Sequence, residues 1–179
     1  MRTLTMKMKK QVILFALLVC TVATYGQTLK ADASIKATKT TFITTSLSKS
    51  SMAIANSNNR YHNKIPKISA ENMVFTKTDK LGLLNAFTSV FSEDRLKQLL
   101  PENRMFITFY VDPQGKILDL SFIIFTSNTT LKASELENLE NAIKANVSFK
   151  IDSNKTKGAD FFNVGQLVRY QQVLDGTLR

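Results

Sequence analysis

The stretch that decides the fold reads MFITFYV at residues 105–111, DPQG at 112–115 and KILDLSFIIF at 116–125. Its first and third segments are rich in β-branched and aromatic residues, which favour strands. Between them, Pro113 presets φ at the first central turn position, and Gly115 can adopt the positive φ that rejoins the strands. The stretch therefore predicts an antiparallel hairpin. The Asp112 side chain is expected to accept hydrogen bonds from backbone amides of the turn.

Alternation along the two strands predicts which face of the hairpin is buried, because successive side chains of a strand point to opposite faces. The expected buried positions are Met105, Ile107, Phe109 and Val111 on the first strand and Leu118, Leu120, Phe122 and Ile124 on the second. Asp119 and Ser121 fall on the other face, which we expect to be the wetter side.

Helical periodicity precedes the hairpin. With Thr78 or Asp79 as N-cap, apolar residues recur at helical spacing at Leu81, Leu84, Phe87, Val90 and Phe91. Ser92 can cap a second short helix, which carries Leu96, Leu99 and Leu100 and ends at Pro101 because proline cannot continue the hydrogen-bond ladder.

Another helix is predicted after the hairpin. Ser134 and Glu137 form a capping-box pattern. The expected apolar stripe is Leu136, Leu139, Ala142 and Ile143, and the side chains expected to face solvent are Glu135, Glu137, Glu140 and Lys144. Alternation then predicts a strand at Val147–Ile151 and a last one between Phe161 and Val173, with Phe162, Val164, Val168 and Tyr170 as its apolar positions. A short strand is also expected at 68–75. The predicted class is α+β, a small antiparallel sheet with helices packed on one face in the order α-β-β-α-β-β.

The segment from Ile107 to Ile151 resembles the C-terminal domain of TonB-type energy-transducing proteins. Phe109, Val111, Gly115 and Ile117 match that family's extended V-x-F-x-V-x-x-x-G-x-V run, which a helix and a short strand follow. The chain lacks the family's proline-rich spacer and its retained membrane helix, and Val147–Lys150 lacks the usual aromatic–proline element. The resemblance therefore implies a fold, and it does not imply coupling to a proton-motive force or to an outer-membrane receptor.

The N-terminus has the order of a secretory signal peptide. Four basic residues (Arg2, Lys7, Lys9 and Lys10) precede an apolar run from Val12 to Ala23, shorter than the roughly 20 residues of a spanning helix. We predict a signal peptide at 1–26 with cleavage between Gly26 and Gln27, no transmembrane anchor after cleavage, and a periplasmic or secreted protein. Cleavage after Ala23 is one alternative. Lipidation at Cys20 is another, which the β-branched Val19 before it disfavours.

Residues 27–67 are rich in Ser, Thr and Lys and carry seven basic residues against a single acid, Asp32. The basic positions are Lys30, Lys36, Lys39, Lys49, Arg60, Lys64 and Lys67. So little contiguous apolar surface predicts a flexible basic tail, although Thr41–Ile43 could add a strand. One α+β domain would then occupy residues 68–179.

The residues that carry chemistry are few. Cys20 is the chain's one cysteine and lies in the signal, so the mature chain has no thiol nucleophile and no sulfur ligand for zinc. His62 is the one histidine and lies beside no carboxylate in the sequence. There is no G-x-S-x-G, P-loop or G-x-G-x-x-G motif. We therefore predict no catalytic, cofactor or metal site, and no nucleic-acid binding, since the basic residues have few interleaved aromatics.

The function that the sequence favours is a non-catalytic exported module that binds another protein or ligand. An exposed sheet edge would accept an extended segment, either at Met105–Val111 or near Val164–Tyr170; a structural appendage without a ligand is equally compatible. One alternative is association of the basic tail with anionic envelope surfaces. Another is a small hydrolase or isomerase, which predicts a deep pocket with at least two convergent polar side chains of perturbed ionisation.

Overall fold

The computed structural model describes residues 26–67, 80–151 and 158–178. The predicted signal peptide (except Gly26), the predicted strand at 68–75 and the predicted caps Thr78 and Asp79 lie outside these ranges. The strands are β1 (Ser34–Lys36), β2 (Thr41–Ser48), β3 (Ser51–Asn56), β4 (Arg104–Val111), β5 (Ile117–Ile124) and β6 (Phe162–Arg169). The helices are α1 (Lys80–Val90), α2 (Glu93–Leu99), α3 (Ala133–Asn146) and α4 (Tyr170–Leu174), with a 3-10 turn at Leu100–Glu102.

The six strands form one antiparallel sheet in the order β1-β2-β3-β5-β4-β6. The predicted α+β class is confirmed. The predicted element order is wrong, because three strands precede α1 and a fourth helix follows β6. Within the described ranges, no helix is long and apolar enough to span a bilayer.

The hairpin of β4 and β5 is confirmed. Phe109 pairs with Leu120 in its register, and Gly115 has a φ of +89° in the connecting turn. The Asp112 carboxylate accepts hydrogen bonds from the backbone N–H of Gln114 at 2.9 Å and of Lys116 at 2.8 Å. The side chain of Asp112 thus stabilises the turn as predicted.

The flexible tail predicted for residues 27–67 is wrong. Phe42 on β2 and both Met52 and Ile54 on β3 are fully buried, and β3 pairs directly with β5. Thr28 forms a bridge with Lys132 just before α3. The physical reason is that alternation places a few apolar residues on the core side of these strands, which is enough to bury the segment although its average hydrophobicity is low. These residues are Ile35, Phe42, Met52 and Ile54. The domain therefore includes residues that the prediction placed outside it.

The helices and one face of the sheet enclose a single core. On α1 the buried positions include Leu83, Ala86 and Phe87, whereas Leu81 is 66% exposed, so the predicted stripe is only partly right. Leu136, Leu139 and Ile143 on α3 are fully buried, as predicted. These side chains pack with alternate residues of β3, β4 and β5 in the core.

The ends of two helices follow from local hydrogen bonds. Ser92 caps α2 as predicted, since its hydroxyl accepts from the N–H of Arg95 at 3.2 Å. The predicted capping box at Ser134 and Glu137 is wrong, because the Glu135 carboxylate accepts instead from the N–H of Lys132, at 2.8 Å. With Lys132 rather than Ser134 as the N-cap, α3 starts two residues earlier than predicted, at Ala133.

The strand predicted at Val147–Ile151 is not among the six strands of the sheet. There the N–H of Phe149 donates to the carbonyl of Gly115 at 3.1 Å, and the Phe149 ring packs 5.2 Å from that of Phe109. The segment therefore fastens the end of α3 to the hairpin turn. The last predicted strand is right from Phe162 to Arg169, but the chain becomes helical at Tyr170, whose N–H donates to Asn103.

Candidate functional site

The described residues cover the sheet face opposite the core only in part. Ile43 and Leu47 of β2 are 43% and 53% exposed on this face, and Phe125 beyond β5 is 37% exposed. Large apolar side chains exposed on one face of a sheet are typical of an interaction surface. We call this surface the open face.

Residues 57–67 lie against one end of the open face, and we call them the covering loop. The Tyr61 ring lies 6.0 Å from that of Tyr110 and 5.1 Å from that of Phe161. The side-chain amide of Asn59 donates to the carbonyl of Leu120 at 2.8 Å. The side-chain Oδ1 atom of Asn59 accepts hydrogen bonds from the backbone N–H of Tyr61 and of His62, both at 2.9 Å. An Asx-type turn therefore sets the path of the loop.

A cavity of about 310 Å³ lies between the covering loop and the sheet. Strands β4, β5 and β6 supply Thr108, Ser121 and Asn163 to its wall, and the loop supplies His62 and Lys64. Leu47, Ala53 and Ile123 add an apolar side. The cavity thus combines polar groups with an apolar wall, which is the usual composition of a ligand pocket.

Two residues that line the cavity each carry a polar side-chain atom without a hydrogen-bond partner. The two atoms are the Nδ1 atom of His62 and the Oδ1 atom of Asn163, and both are buried. A buried polar atom without a partner costs about 1–3 kcal/mol of stability. Such atoms are rare in folded proteins.

The hydroxyl groups of Tyr110 and Ser121 also line the cavity and lie 3.2 Å apart. Burial raises the pKa of Tyr110, with a further increase from nearby Asp119, and the hydrogen bond with Ser121 acts in the opposite direction. The phenol is therefore neutral at physiological pH. Neutral hydroxyl groups can both donate and accept hydrogen bonds with a ligand.

The prediction that Asp119 and Ser121 face solvent is wrong. Their side chains are buried, with Asp119 8% and Ser121 7% exposed. Lys144 of α3 donates to Asp119 at 3.1 Å and to Glu140 at 2.6 Å. Burial raises the pKa of Glu140, whereas for Lys144 the two carboxylates outweigh burial, so its pKa is raised as well. This partly buried cluster joins α3 to the sheet.

Two acidic residues of α3 that were expected to face solvent are therefore buried. Glu140 belongs to the cluster with Asp119, and the carboxylate of Glu137 accepts hydrogen bonds from the N–H of Thr38 at 2.9 Å and of Lys39 at 2.8 Å. Both contacts join residues far apart in the sequence. Helical periodicity alone could not indicate them.

The cavity lining contains hydroxyl side chains and the imidazole of His62. The Ser121 hydroxyl is hydrogen-bonded to Tyr110 and not to the imidazole of His62. General-base catalysis needs a nucleophile within hydrogen-bond reach of its base. In the described part of the chain, no three His, Cys, Asp or Glu side chains lie close enough together to hold a metal ion.

The structure also decides between the two predicted sheet edges. Strand β4, which contains Met105–Val111, pairs with β5 on one side and β6 on the other, so that candidate edge is wrong. Strand β6 is an end strand of the sheet, and β1 at the other end has only three residues.

Backbone alternation shows which groups of β6 point away from the sheet. The N–H of Tyr170 donates to the carbonyl of Asn103, and this pair continues the register of Arg104 with Arg169. Hydrogen-bonded pairs alternate in an antiparallel ladder. The outward backbone groups therefore belong to Asn163, Gly165, Leu167 and Arg169. One of these outward groups, the Leu167 carbonyl, already accepts a hydrogen bond from the Gln166 side chain at 2.8 Å.

The basic residues at 27–67 do not form a flexible tail. Lys36 lies on β1, and the Lys64 ammonium lies 5.8 Å over the Tyr61 ring. Lys67 pairs with Asp160 at 3.8 Å. The alternative of tail-mediated association assumed a flexible segment, and the ordered strands contradict that assumption.

Sequence reasoning missed most of the cavity residues. It treated His62 as part of a tail and singled out neither Tyr61 nor Asn163. The one local signal was Asn59 two residues before Tyr61, a spacing compatible with an Asx turn. The rest depends on β6 lying beside β4, which no local pattern reveals.

No family model matches the sequence, and no curated protein is similar to it. Among solved structures, the fold is similar to the crystal structure of a DUF5043 family protein from Bacteroides uniformis, with a TM-score of 0.64. The alignment covers 78% of this chain and 86% of that chain, at 11% sequence identity. At this identity the similarity concerns the fold alone.

Proposed function

We propose that the protein is an exported, non-catalytic binding module that takes up an extended segment of another protein along β6. The observation that carries this proposal is the outward row of backbone groups on β6, at an end of the sheet. An extended segment can pair with such an edge through main-chain hydrogen bonds, and pockets for alternate side chains give specificity.

The side chains beside this edge favour an acidic partner segment. Arg169 of β6 pairs in register with Arg104 of β4, and the Arg104 guanidinium lies 4.8 Å over the Phe125 ring. Two adjacent cations at one end of the edge would attract a carboxylate on the incoming strand. The resemblance to TonB-type C-terminal domains remains a prediction about the hairpin and α3, and we do not extend it to the partner.

The proposal of export depends on residues 1–26, of which only Gly26 lies in the described ranges. Their order of charge, apolar run and small residues is the evidence for a cleaved signal. Mass spectrometry of the native protein is expected to give a chain that begins at Gln27 in a periplasmic or secreted fraction. A cytosolic protein that retains Met1 would contradict export.

Affinity capture with two variants at one position tests the binding edge. Leu167→Pro removes an outward N–H without touching a hydrogen bond to β4, because proline is tolerated on edge strands. Leu167→Val keeps that N–H and serves as the matched control. From envelope or culture fractions, we expect the unmodified mature chain and Leu167→Val to retain the same protein, and Leu167→Pro to lose it.

Hydrogen exchange on the captured complex gives a second measurement. The amides of Gly165 and Leu167 should become protected when the partner binds. Equal capture by both variants, or protection confined to the helices, would contradict strand addition at β6.

A further inference from the structure

We infer that the segment that binds along β6 runs antiparallel to it and carries an acidic, a β-branched and an aromatic residue at every second position, in that order from its N-terminus. This inference rests on the proposed addition of a strand to β6. The side chains of Gly165's neighbours Leu167 and Arg169 lie on the open face, because Val168 between them points into the core. Directly paired residues of adjacent strands place their side chains next to each other, so this row of β6 selects the residues of the incoming strand.

The arginine at the end of the row selects an acidic residue. Arg169 is exposed and lies directly opposite Arg104 of β4, and like charges in this position repel each other. Among the residues that the structure describes, neither guanidinium has a carboxylate within ion-pair distance. A carboxylate opposite Arg169 on the incoming strand would offset this repulsion, whereas a cation there would add to it.

An aromatic ring lies beside the middle of the row. Phe106 of β4 pairs in register with Leu167, but its ring crosses to Gly165, where an added Cβ atom would overlap the Cζ atom of the ring. Phe106 is partly exposed and Gly165 is exposed. A side chain opposite Gly165 would therefore contact this ring, and pairs of aromatic side chains are among the favourable cross-strand pairs. Opposite Leu167, a β-branched residue combines apolar contact with a preference for strands.

The direction of pairing fixes the order of these residues. Adjacent strands of the described sheet are antiparallel throughout. The outward residues of β6 present both their N–H and their carbonyl group to the edge, as the hydrogen-bonded pairs of an antiparallel ladder require. In this direction, the residue opposite Arg169 precedes the one opposite Leu167, and the residue opposite Gly165 comes last.

Four peptides titrated against the ¹⁵N-labelled protein test the inference. The first is acetyl-Thr-Glu-Thr-Val-Thr-Phe-Thr-amide, the second has Lys in place of Glu, the third has Thr in place of Phe, and the fourth has the reversed sequence. We expect the first peptide to shift the amide signals of Gly165 and Leu167. The Lys peptide should bind at least about five-fold more weakly, and the other two at least about three-fold more weakly.

A charge exchange shows whether the acidic residue lies opposite Arg169. In the Arg169→Glu variant we expect the preference to reverse, so that the Lys peptide binds more tightly than the Glu peptide. Lys36→Glu makes the same change of charge on β1, at the other end of the sheet, and should keep the preference for the Glu peptide. An unchanged preference in Arg169→Glu would overturn the inference.

The peptides also separate this inference from the proposed function. Equal binding of all four peptides with shifts at Gly165 and Leu167 would overturn the side-chain pattern but support strand addition at β6. Tighter binding of the reversed peptide would overturn the antiparallel direction. Binding of none of the peptides would overturn the inference, and capture with Leu167→Pro would then decide the proposed function independently.

Discussion

At the scale of single residues, two features of the structure require glycine at position 115. Its φ of +89° lies in the region that favours glycine, and a Cβ atom at this position would overlap the carbonyl oxygen of Phe149. A second contact, the hydrogen bond from the Phe149 N–H to the Gly115 carbonyl, joins the segment after α3 to the hairpin. Glycine is therefore needed both for the turn and for this close approach.

We predict that Gly115→Ala lowers the free energy of unfolding by about 2 kcal/mol or more, because the strained φ and the backbone overlap both oppose it. Gly176→Ala is the matched control: Gly176 has a φ of +64° with no atom near the added Cβ, and should cost about 1 kcal/mol. Urea unfolding measures both values. Equal losses in the two variants would show that the contact with Phe149 is not formed.

Glu137 is the residue that fastens α3 to the turn between β1 and β2. Burial alone would raise the pKa of Glu137, but hydrogen bonds from Thr40 and from the backbone of Lys39 and Thr38 outweigh it, so the pKa is lowered. A carboxyl whose pKa is lower in the folded state than the ordinary 4.5 stabilises the fold above that value. This stabilisation is lost as the pH falls through the folded-state pKa.

We predict that Glu137→Gln lowers the free energy of unfolding at pH 7 by about 1–3 kcal/mol. The variant should also lose less stability than the unmodified protein between about pH 5 and pH 3, because its side chain no longer takes up a proton. Glu93→Gln, which changes an exposed carboxylate of α2, serves as the control and should leave the unfolding midpoint at pH 7 unchanged. Parallel pH profiles for Glu137→Gln and the unmodified protein would contradict this role.

At the scale of elements, β3 connects the N-terminal strands to the hairpin. Ile54 pairs in register with Phe122 of β5 and is fully buried, whereas Ile43 of β2 is 43% exposed on the open face. The two isoleucines lie on adjacent strands and face opposite sides of the sheet. Substitutions at these two positions therefore measure how much residues 34–56 contribute to the free energy of unfolding.

We predict that Ile54→Ala lowers the free energy of unfolding by about 2–5 kcal/mol, as for other fully buried isoleucines. Ile43→Ala should cost less than about 1 kcal/mol, because little of its side chain is removed from water. Chemical denaturation of the mature chain compares the two. A small loss in both variants would mean that these strands contribute nothing to the core and that the segment is a tail after all.

The elements also show what a sequence can predict. The hairpin was predictable because Asp112, Pro113 and Gly115 determine its turn locally. β1 and β3 were not predicted, and β2 only as an optional strand at Thr41–Ile43, since the Ser- and Thr-rich composition lowers the average hydrophobicity and only a few apolar residues mark the buried face. The cavity was not predictable, because His62 and Asn163 meet only when the covering loop lies across β4 and β6.

At the scale of the whole molecule, the sheet separates two functions. One face and the four helices form the core, while the other face keeps exposed apolar side chains and a cavity. The strand order places β6 at one end of the sheet that the described residues form. Stability and the proposed binding therefore depend on different surfaces, so binding variants can be made without unfolding the protein.

Residue-resolved hydrogen exchange of the free protein tests the open edge of β6 most directly. The account predicts an alternating pattern, with slow exchange at Val164, Gln166 and Val168, which bond to β4, and fast exchange at Gly165 and Leu167. Uniformly slow exchange along β6 would mean that another part of the chain already covers this edge, and it would contradict the proposed mode of binding.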